Sequence, residues 1–312
     1  MAHLILPHTG HLMSIELSQR MTFEYGEPRE IAPGVQRLVA KNPSPMTFKG
    51  TNTYLVGTHS LAVIDPGPDD GEHCAAIVKA VAGRPVSHIV LTHAHGDHSD
   101  GVARVMDALK APLAAYGYDA RAGGALKITP DSREVGVKSV RPDIMLRDRD
   151  PIVGGGWRLE ALFTPGHAPD HLCFELSGTG ILFSGDHVMG WNTSVVAPPE
   201  GKMSDYLASL DRLRGRGDTL FLPGHGGKLA EPERMVRGYL IHRRMREDAI
   251  LSAIRARPKS ITEIVSLIYP TIEPKLVRAA SLSVQAHVEH LIERNLVRGD
   301  DPIVFDRQLY PV

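Results

Sequence analysis

Short apolar runs separated by glycine and proline fill residues 50–225, and a helical spacing replaces them after residue 231. Residues 50–57 and 61–65 read as two strands joined by a turn at Thr58-His59-Ser60, because β-branched and apolar runs bounded by turn formers favour extended backbone. Residues 69–82 read as a helix, with Pro68 before it and Gly83 after it as start and stop signals. A strand over 85–91, a helix over 98–110 and a short strand over 112–116 follow. The glycines and mixed charges of 117–137 predict a loop-rich insertion that overhangs the neighbouring strand ends. Residues 152–163, 171–176 and 180–184 read as successive strands of an antiparallel sheet, 204–213 as a helix and 219–222 as the last strand. Strands in two groups with helices between them fit two packed sheets covered outside by helices.

From residue 231 the chain is richer in charged helix formers. Val236, Leu240, Ile241, Met245, Ala249 or Ile250, and Ile254 recur at amphipathic spacing through 235–257, and Pro258 ends that helix. Residues 261–269, 276–296 and 297–309 read as helix, helix and β-ribbon, a winged-helix outline. The expected division is 1–250 and 251–312. Arg255, Arg257, Lys259, Lys275, Arg278, Arg294 and Arg298 are available to phosphates. The region has no clear basic excess, which tips the balance slightly towards a unit that packs on the larger domain or forms a dimer contact.

Composition narrows the function classes. At 312 residues the chain has room for one large domain and one small one. A net charge of −1 gives no whole-molecule attraction to nucleic acid or to an anionic membrane, although a local basic groove stays open. Cys74 and Cys173, the only cysteines, read as small buried hydrophobes and fit a reducing compartment. The N-terminus has no basic stretch followed by an apolar one, and no run of about 18 apolar residues is present to span a bilayer. The expectation is a cytoplasmic protein with no membrane partner; a homo-oligomer is left open.

The chemistry lies at the strand ends. Residues 92–98 read T-H-A-H-G-D-H, directly after the strand-like 85–91 run. Three imidazoles and a carboxylate within so short a loop are the donors that borderline divalent metals prefer. In an extended loop His93 and His95 project to one side, and Asp97 and His98 follow the turn that Gly96 permits. One ion can take the first pair and a second ion the other. T-P-G-H at 164–167, S-G-D-H at 184–187 and P-G-H-G-G at 223–227 each follow a further strand-like run. Four such loops place one site at one edge of a layered β structure.

The order His93, His95, Asp97, His98, His167, Asp186, His225 resembles the metallo-β-lactamase superfamily, whose motif is H-x-H-x-D-H followed by His, Asp and His. N-P-S-P-M-T-F-K-G-T-N-T-Y-L-V-G at 42–57, G-H-A-P-D-H at 166–171 and R-R-M-R-E at 243–247 look like its β-lactamase-like-protein-2 branch. The resemblance implies an α+β fold, the αββα sandwich, followed by a small winged-helix-like domain. It implies that His93, His95 and His167 hold one divalent ion, that Asp97, His98 and His225 hold another, and that Asp186 bridges them. Zinc is the first choice, and iron or manganese also suits donors that are all nitrogen and oxygen. Two ions roughly 3.5–4 Å apart acidify a shared water, which attacks the substrate, and polarise the substrate oxygen. Asp97 is a ligand or orients that attacking water.

The implied activity is metal-dependent hydrolysis, with a slight lean towards single-stranded RNA, cut by some members of the branch, and a small-molecule thioester, ester or lactone as the alternative. A β-lactam is less favoured, since drug-hydrolysing enzymes do not normally carry an acidic bridge at the Asp186 position. A nucleic-acid-binding module with a structural metal fits poorly with seven intact ligand positions at an open edge. A flavo-di-iron role lacks its flavin domain.

Around the ligands, Asp65 either accepts a proton from a ligand imidazole or makes the turn before Pro66. Asp170 or His171 orients a ligand or gives a proton to the leaving group. Thr92 is expected on a neighbouring carboxylate, His187 packed behind the site, and Asn52 and Thr53 in the pocket wall. Trp191, Asn192 and Thr193 either line a substrate groove or pack. His3, His8, His11 and His59 read as surface residues.

Overall fold

A computed structural model describes residues 15–116 and 141–312, the side chain of Lys275 apart. The predicted 117–137 insertion and His3, His8 and His11 lie outside the described residues. The first sheet has seven strands in chain order: β1 (Arg29–Ala32), β2 (Val35–Val39), β3 (Asn52–Val56), β4 (Leu61–Ile64), β5 (Val86–Val90), β6 (Leu113–Tyr116) and β7 (Ile144–Leu146). Its first four strands are antiparallel, and β4 to β7 run parallel. The second sheet comprises β8 (Pro151–Gly154), β9 (Trp157–Phe163), β10 (Leu172–Leu176), β11 (Ile181–Gly185) and β12 (Leu220–Pro223), in reverse chain order.

Alternation along the strands builds the layers. Ile181 and Phe183 of β11 face the other sheet, where they meet Tyr54, Ile64 and Val90, while Leu182 points the opposite way. The outer face of the first sheet is covered by α1 (Gly71–Val81) and α3 (Val102–Leu109), through Cys74, Ile77 and Val105. The outer face of the second is covered by α4 (Met203–Leu213) and the first half of α5 (Pro232–Ala256), through Tyr206, Leu210, Val236 and Tyr239. Each large side chain buried in these layers contributes about 1.5–3 kcal/mol. No helix among the described residues is long and apolar enough to cross a membrane.

The second half of α5 packs Ile250 and Ile254 against α6 (Ile261–Ile268) and α7 (Val277–Glu293). α5 therefore runs through residue 250 and contributes to both cores. Its middle turn buries Arg243, Arg246 and Glu247, whereas Ile241 and Met245 are only half-buried. The ribbon is shorter than the 297–309 pattern predicts: β13 (Val297–Arg298) pairs with β14 (Tyr310–Pro311) over two residues each.

Three further differences have local causes. The run 152–163 is a hairpin, turned at Gly155-Gly156 with Gly156 at φ 92°, a backbone suited to glycine. The 98–110 helix is two helices, α2 (Gly96–Ser99) and α3; at Gly101, between them, a Cβ would stand 2.7 Å from Pro68 O. The β1–β2 hairpin, which the sequence pattern does not reveal, turns through Gly34 at φ 70°.

Candidate metal centre

Every ligand predicted from the sequence lies just beyond the C-terminal end of a strand. His93 follows β5, and His95, Asp97 and His98 lie on and at the start of α2. His167 follows β9, Asp186 follows β11 and His225 follows β12. The sandwich brings these ends to one edge, and the donor atoms converge. His95 Nδ1 is 2.9 Å from His93 Nε2 and 3.0 Å from His167 Nε2. Asp97 Oδ2 is 3.1 Å from His225 Nε2 and 3.5 Å from His98 Nε2. Asp186 lies between the groups, with Oδ2 3.6 Å from His167 Nε2 and 3.4 Å from His225 Nε2, and Oδ1 3.5 Å from His98 Nε2.

The outer shell fixes which nitrogen faces inward. His98 Nδ1–H donates to Asp65 Oδ2 at 2.9 Å, and His167 Nδ1–H to Val195 O at 2.6 Å. His225 Nδ1–H donates to Gly50 O at 3.2 Å, and His95 Nε2–H to Glu200 Oε2 at 3.2 Å. Thr92 Oγ1 donates to Asp65 Oδ2 at 2.7 Å, so its lone pair accepts from His93 Nδ1–H at 3.0 Å. Each outward nitrogen is thus a donor, and in a neutral ring the inward nitrogen is a bare lone pair. Lone pairs facing one another near 3 Å repel unless a cation lies between them. Buried Asp186 Oδ1 also has no hydrogen-bond partner among the described residues. The donor set therefore fits divalent metal.

Electrostatics divide the cluster. Burial, reinforced by the other imidazoles, lowers His93 and brings His167 down to about 4. Burial also works against a charged His98 and His225, but Asp186 and Asp97 outweigh it; His98 is held above the usual range and His225 is raised to about 9. The carboxylate-rich half takes protons where a metal would deliver its charge.

Two close backbone approaches make this packing possible. A Cβ at Gly224 would stand 2.5 Å from Asp186 Oδ1 and 2.6 Å from His98 Cε1, and one at Gly185 would stand 2.5 Å from His171 Nε2. Gly185 also has φ 48°, the left-handed region.

The neighbouring candidates take distinct places. Asp65, at φ 51°, accepts from Thr92 N–H at 2.8 Å as well as from Thr92 Oγ1 and His98, so it is the ligand-bracing carboxylate rather than only a turn residue. Thr92 meets a carboxylate as expected. Asn52 donates to Pro223 O and Gly226 O at 2.8 and 2.9 Å and carries the His225 loop, while Thr53 donates to Asp65 O at 2.7 Å; both brace the site from behind. Asp170 Oδ2 accepts from the Ala94 amide, between His93 and His95, at 3.0 Å, and burial raises this carboxyl to about 6.

His171 is fully buried. Its Nδ1–H donates to Thr164 Oγ1 at 2.9 Å and its Nε2 accepts from Asp186 N–H at 3.1 Å, so neither nitrogen is free to protonate a leaving group. His187 packs behind it against Tyr206, ring centroids 4.6 Å apart. Trp191 stacks on Phe48 at 5.1 Å, leaving Asn192 exposed. Glu200 carries no signal in the sequence pattern, and Arg243 stands out only as the first residue of the R-R-M-R-E segment, with no role attached. Glu200 faces His95, and Arg243 donates to Ser194 O from within α5.

Residues 46–225 match the metallo-beta-lactamase superfamily, and residues 260–302 match the beta-lactamase associated winged helix domain. The chain belongs to the metallo-beta-lactamase superfamily, whose members are generally hydrolases and typically bind divalent metals. Within it, the chain is 30% identical to a beta-lactamase-like protein 2 homolog of Caenorhabditis elegans, over 82% of this chain and 83% of that protein. It is 31% identical to an atrochrysone carboxyl ACP thioesterase of Claviceps purpurea, over 79% of this chain and 75% of the relative. A metallo-beta-lactamase family protein of Thermus thermophilus superposes with a TM-score of 0.72 at 26% identity, covering 91% of this chain and all of that one. Fungal lactamase-like proteins match too, and there the chain spans under two thirds of the relative's length, 66% for one and 61% for another.

Proposed function

We propose that the chain is a hydrolase that uses two divalent ions, zinc first among them, to cleave a thioester or ester. The observation that carries this reading is the double grouping of donors, His93–His95–His167 and Asp97–His98–His225, with the Asp186 carboxylate turned to both. When bound, the ions supply the positive charge that polarises a substrate oxygen and acidifies water.

The chain's own groups do the rest. The five outward-donating histidines present lone pairs in fixed directions. Asp97 contributes Oδ2, and its side chain is 30% exposed. His171 holds the Asp186 backbone and is a positioning residue, and Asp170 does the same for the amide between His93 and His95.

A carbonyl substrate is favoured over RNA on two grounds. A thioesterase is among the relatives. Two of the basic residues proposed for phosphates are already engaged: Arg294 with Glu247, and Arg257 with Glu263 at 3.1 Å. Parallel turnover assays on an acyl thioester and a fluorescent oligoribonucleotide, each with and without chelator, test the proposal. Chelator-sensitive thioester hydrolysis is expected. Salt-sensitive RNA cleavage with no thioester turnover would overturn the choice of substrate.

A further inference from the structure

We infer that Arg243, on α5, is a positioning residue for the His93–His95–His167 half of the centre, acting through segment 194–202. This rests on the two-ion reading. The segment touches the cluster repeatedly. Ser194 Oγ donates to Asp186 O, Val195 O accepts from His167 Nδ1, and Glu200 Oε2 accepts from His95 Nε2. At its far end Lys202 N–H donates to Gly166 O at 2.9 Å, beside His167. Two ligands of the first half thus take their orientation from one stretch that contains no strand and no helix before Met203.

The C-terminal helices hold that stretch. Arg243 Nη2 donates to Ser194 O, one residue before the carbonyl that orients His167, and the guanidinium lies 5.1 Å from the centre of the Tyr206 ring. Tyr206 OH in turn donates to His187 O at 2.7 Å, next to Asp186. Lys202 pairs with Glu293 of α7 at 3.1 Å, an exposed and therefore weak tether. Arg243 itself is only 3% exposed, and no carboxylate among the described residues pairs with it. A guanidinium buried without an acid is costly, and an apolar residue of equal volume would pack α5 at least as well. What an apolar residue cannot do is hold the Ser194 carbonyl.

Arg246 provides the contrast. It lies one turn further along the same helix, is 4% exposed and stacks on Tyr269 at 4.5 Å, with no hydrogen bond to segment 194–202. Arg246→Met therefore reports the loss of a buried arginine without the link to the ligands.

The test is release of bound zinc to a colorimetric chelator from wild type, Arg243→Met, Arg243→Lys, Arg246→Met and Glu200→Gln, with unfolding followed in parallel. Loss of a ligand's outer support typically weakens metal binding about 10–100-fold. Arg243→Met should speed release of one ion by that factor and leave the other near the wild-type rate. Arg243→Lys should fall between, because an ammonium lacks the reach of the planar fork. Arg246→Met should match wild type even if its melting temperature drops. If Arg243→Met does not fold, Glu200→Gln still tests the segment and should accelerate the same ion. Unchanged release in Arg243→Met, or equal acceleration in Arg246→Met, would overturn the inference. A wild-type chain holding a single ion would contradict the two-ion reading instead, and the Arg243–Arg246 comparison would still stand.

Discussion

The two halves of the cluster are supported by different parts of the molecule. In the Asp97–His98–His225 half, outward nitrogens rest on Asp65 and on Gly50 O, both beside strands of the first sheet. In the other half only His93 leans on that framework, through Thr92; His95 and His167 lean on Glu200 and Val195. One half is therefore fixed by the packed sandwich, and the other by a strap that follows β11 and is held from α5. The difference teaches that ligand identity and ligand support need not come from the same part of a fold. It also ranks the substitutions that probe each half.

The largest effect belongs to Asp186, which serves both. Asp186→Asn should remove the charge shared by the two halves and reduce chelator-sensitive turnover at least about a thousand-fold, with both ions weakened. Turnover and metal content measured together check this; loss of only one ion would confine Asp186 to one half.

Asp65→Asn comes next. It disturbs His98 directly and His93 through Thr92, so ion affinity should fall about 10–100-fold, with the Asp97–His98–His225 ion affected first. Calorimetric titration of the metal-free variant would reveal the order. Weaker binding confined to the other ion would reverse the assignment of supports.

The smallest effect concerns Asp170 and pH in the metal-free protein. Its folded value of about 6 exceeds the usual 3.8, so between those values the folded state holds more protons than the unfolded one, and stability falls as pH rises. Above about pH 6 the full cost is present, and below about pH 4 it is absent. Asp170→Asn should therefore stabilise at pH 7 and not at pH 4 in denaturant titrations. Destabilisation at pH 7 would mean that the His93–His95–His167 half needs this charge beside His95 even without ions.

How much of this was legible in the sequence follows the same division. The seven candidate ligands stand in short motifs after apolar runs, and a strand-end loop is a local feature, so pattern brought the donors into view and the family resemblance singled out these seven. The two sheets and their covering helices were readable for the same reason. Asp65 and Thr92 were legible as candidates because each adjoins a strand end. Glu200 follows Pro198-Pro199 with no signal attached, and Arg243 occupies a turn where helical spacing marks Ile241 and Met245 as the buried face. Their roles depend on tertiary contacts across 105 and 49 residues, which no local period encodes. The Gly155-Gly156 turn was visible in the sequence, but the flanking apolar residues masked it as one long strand. The leaving-group role considered for His171 gave way to burial, since a ring with both nitrogens bonded behind the site cannot reach a substrate.

The central claim is that one chain holds two divalent ions through these seven side chains. Elemental analysis of protein reconstituted with excess zinc and then freed of unbound metal tests it most directly, with Asp186→Asn and His225→Ala alongside. The account predicts close to two ions per wild-type chain and no more than about one for each variant. One ion or fewer in the wild type after reconstitution, or two in both variants, would contradict it.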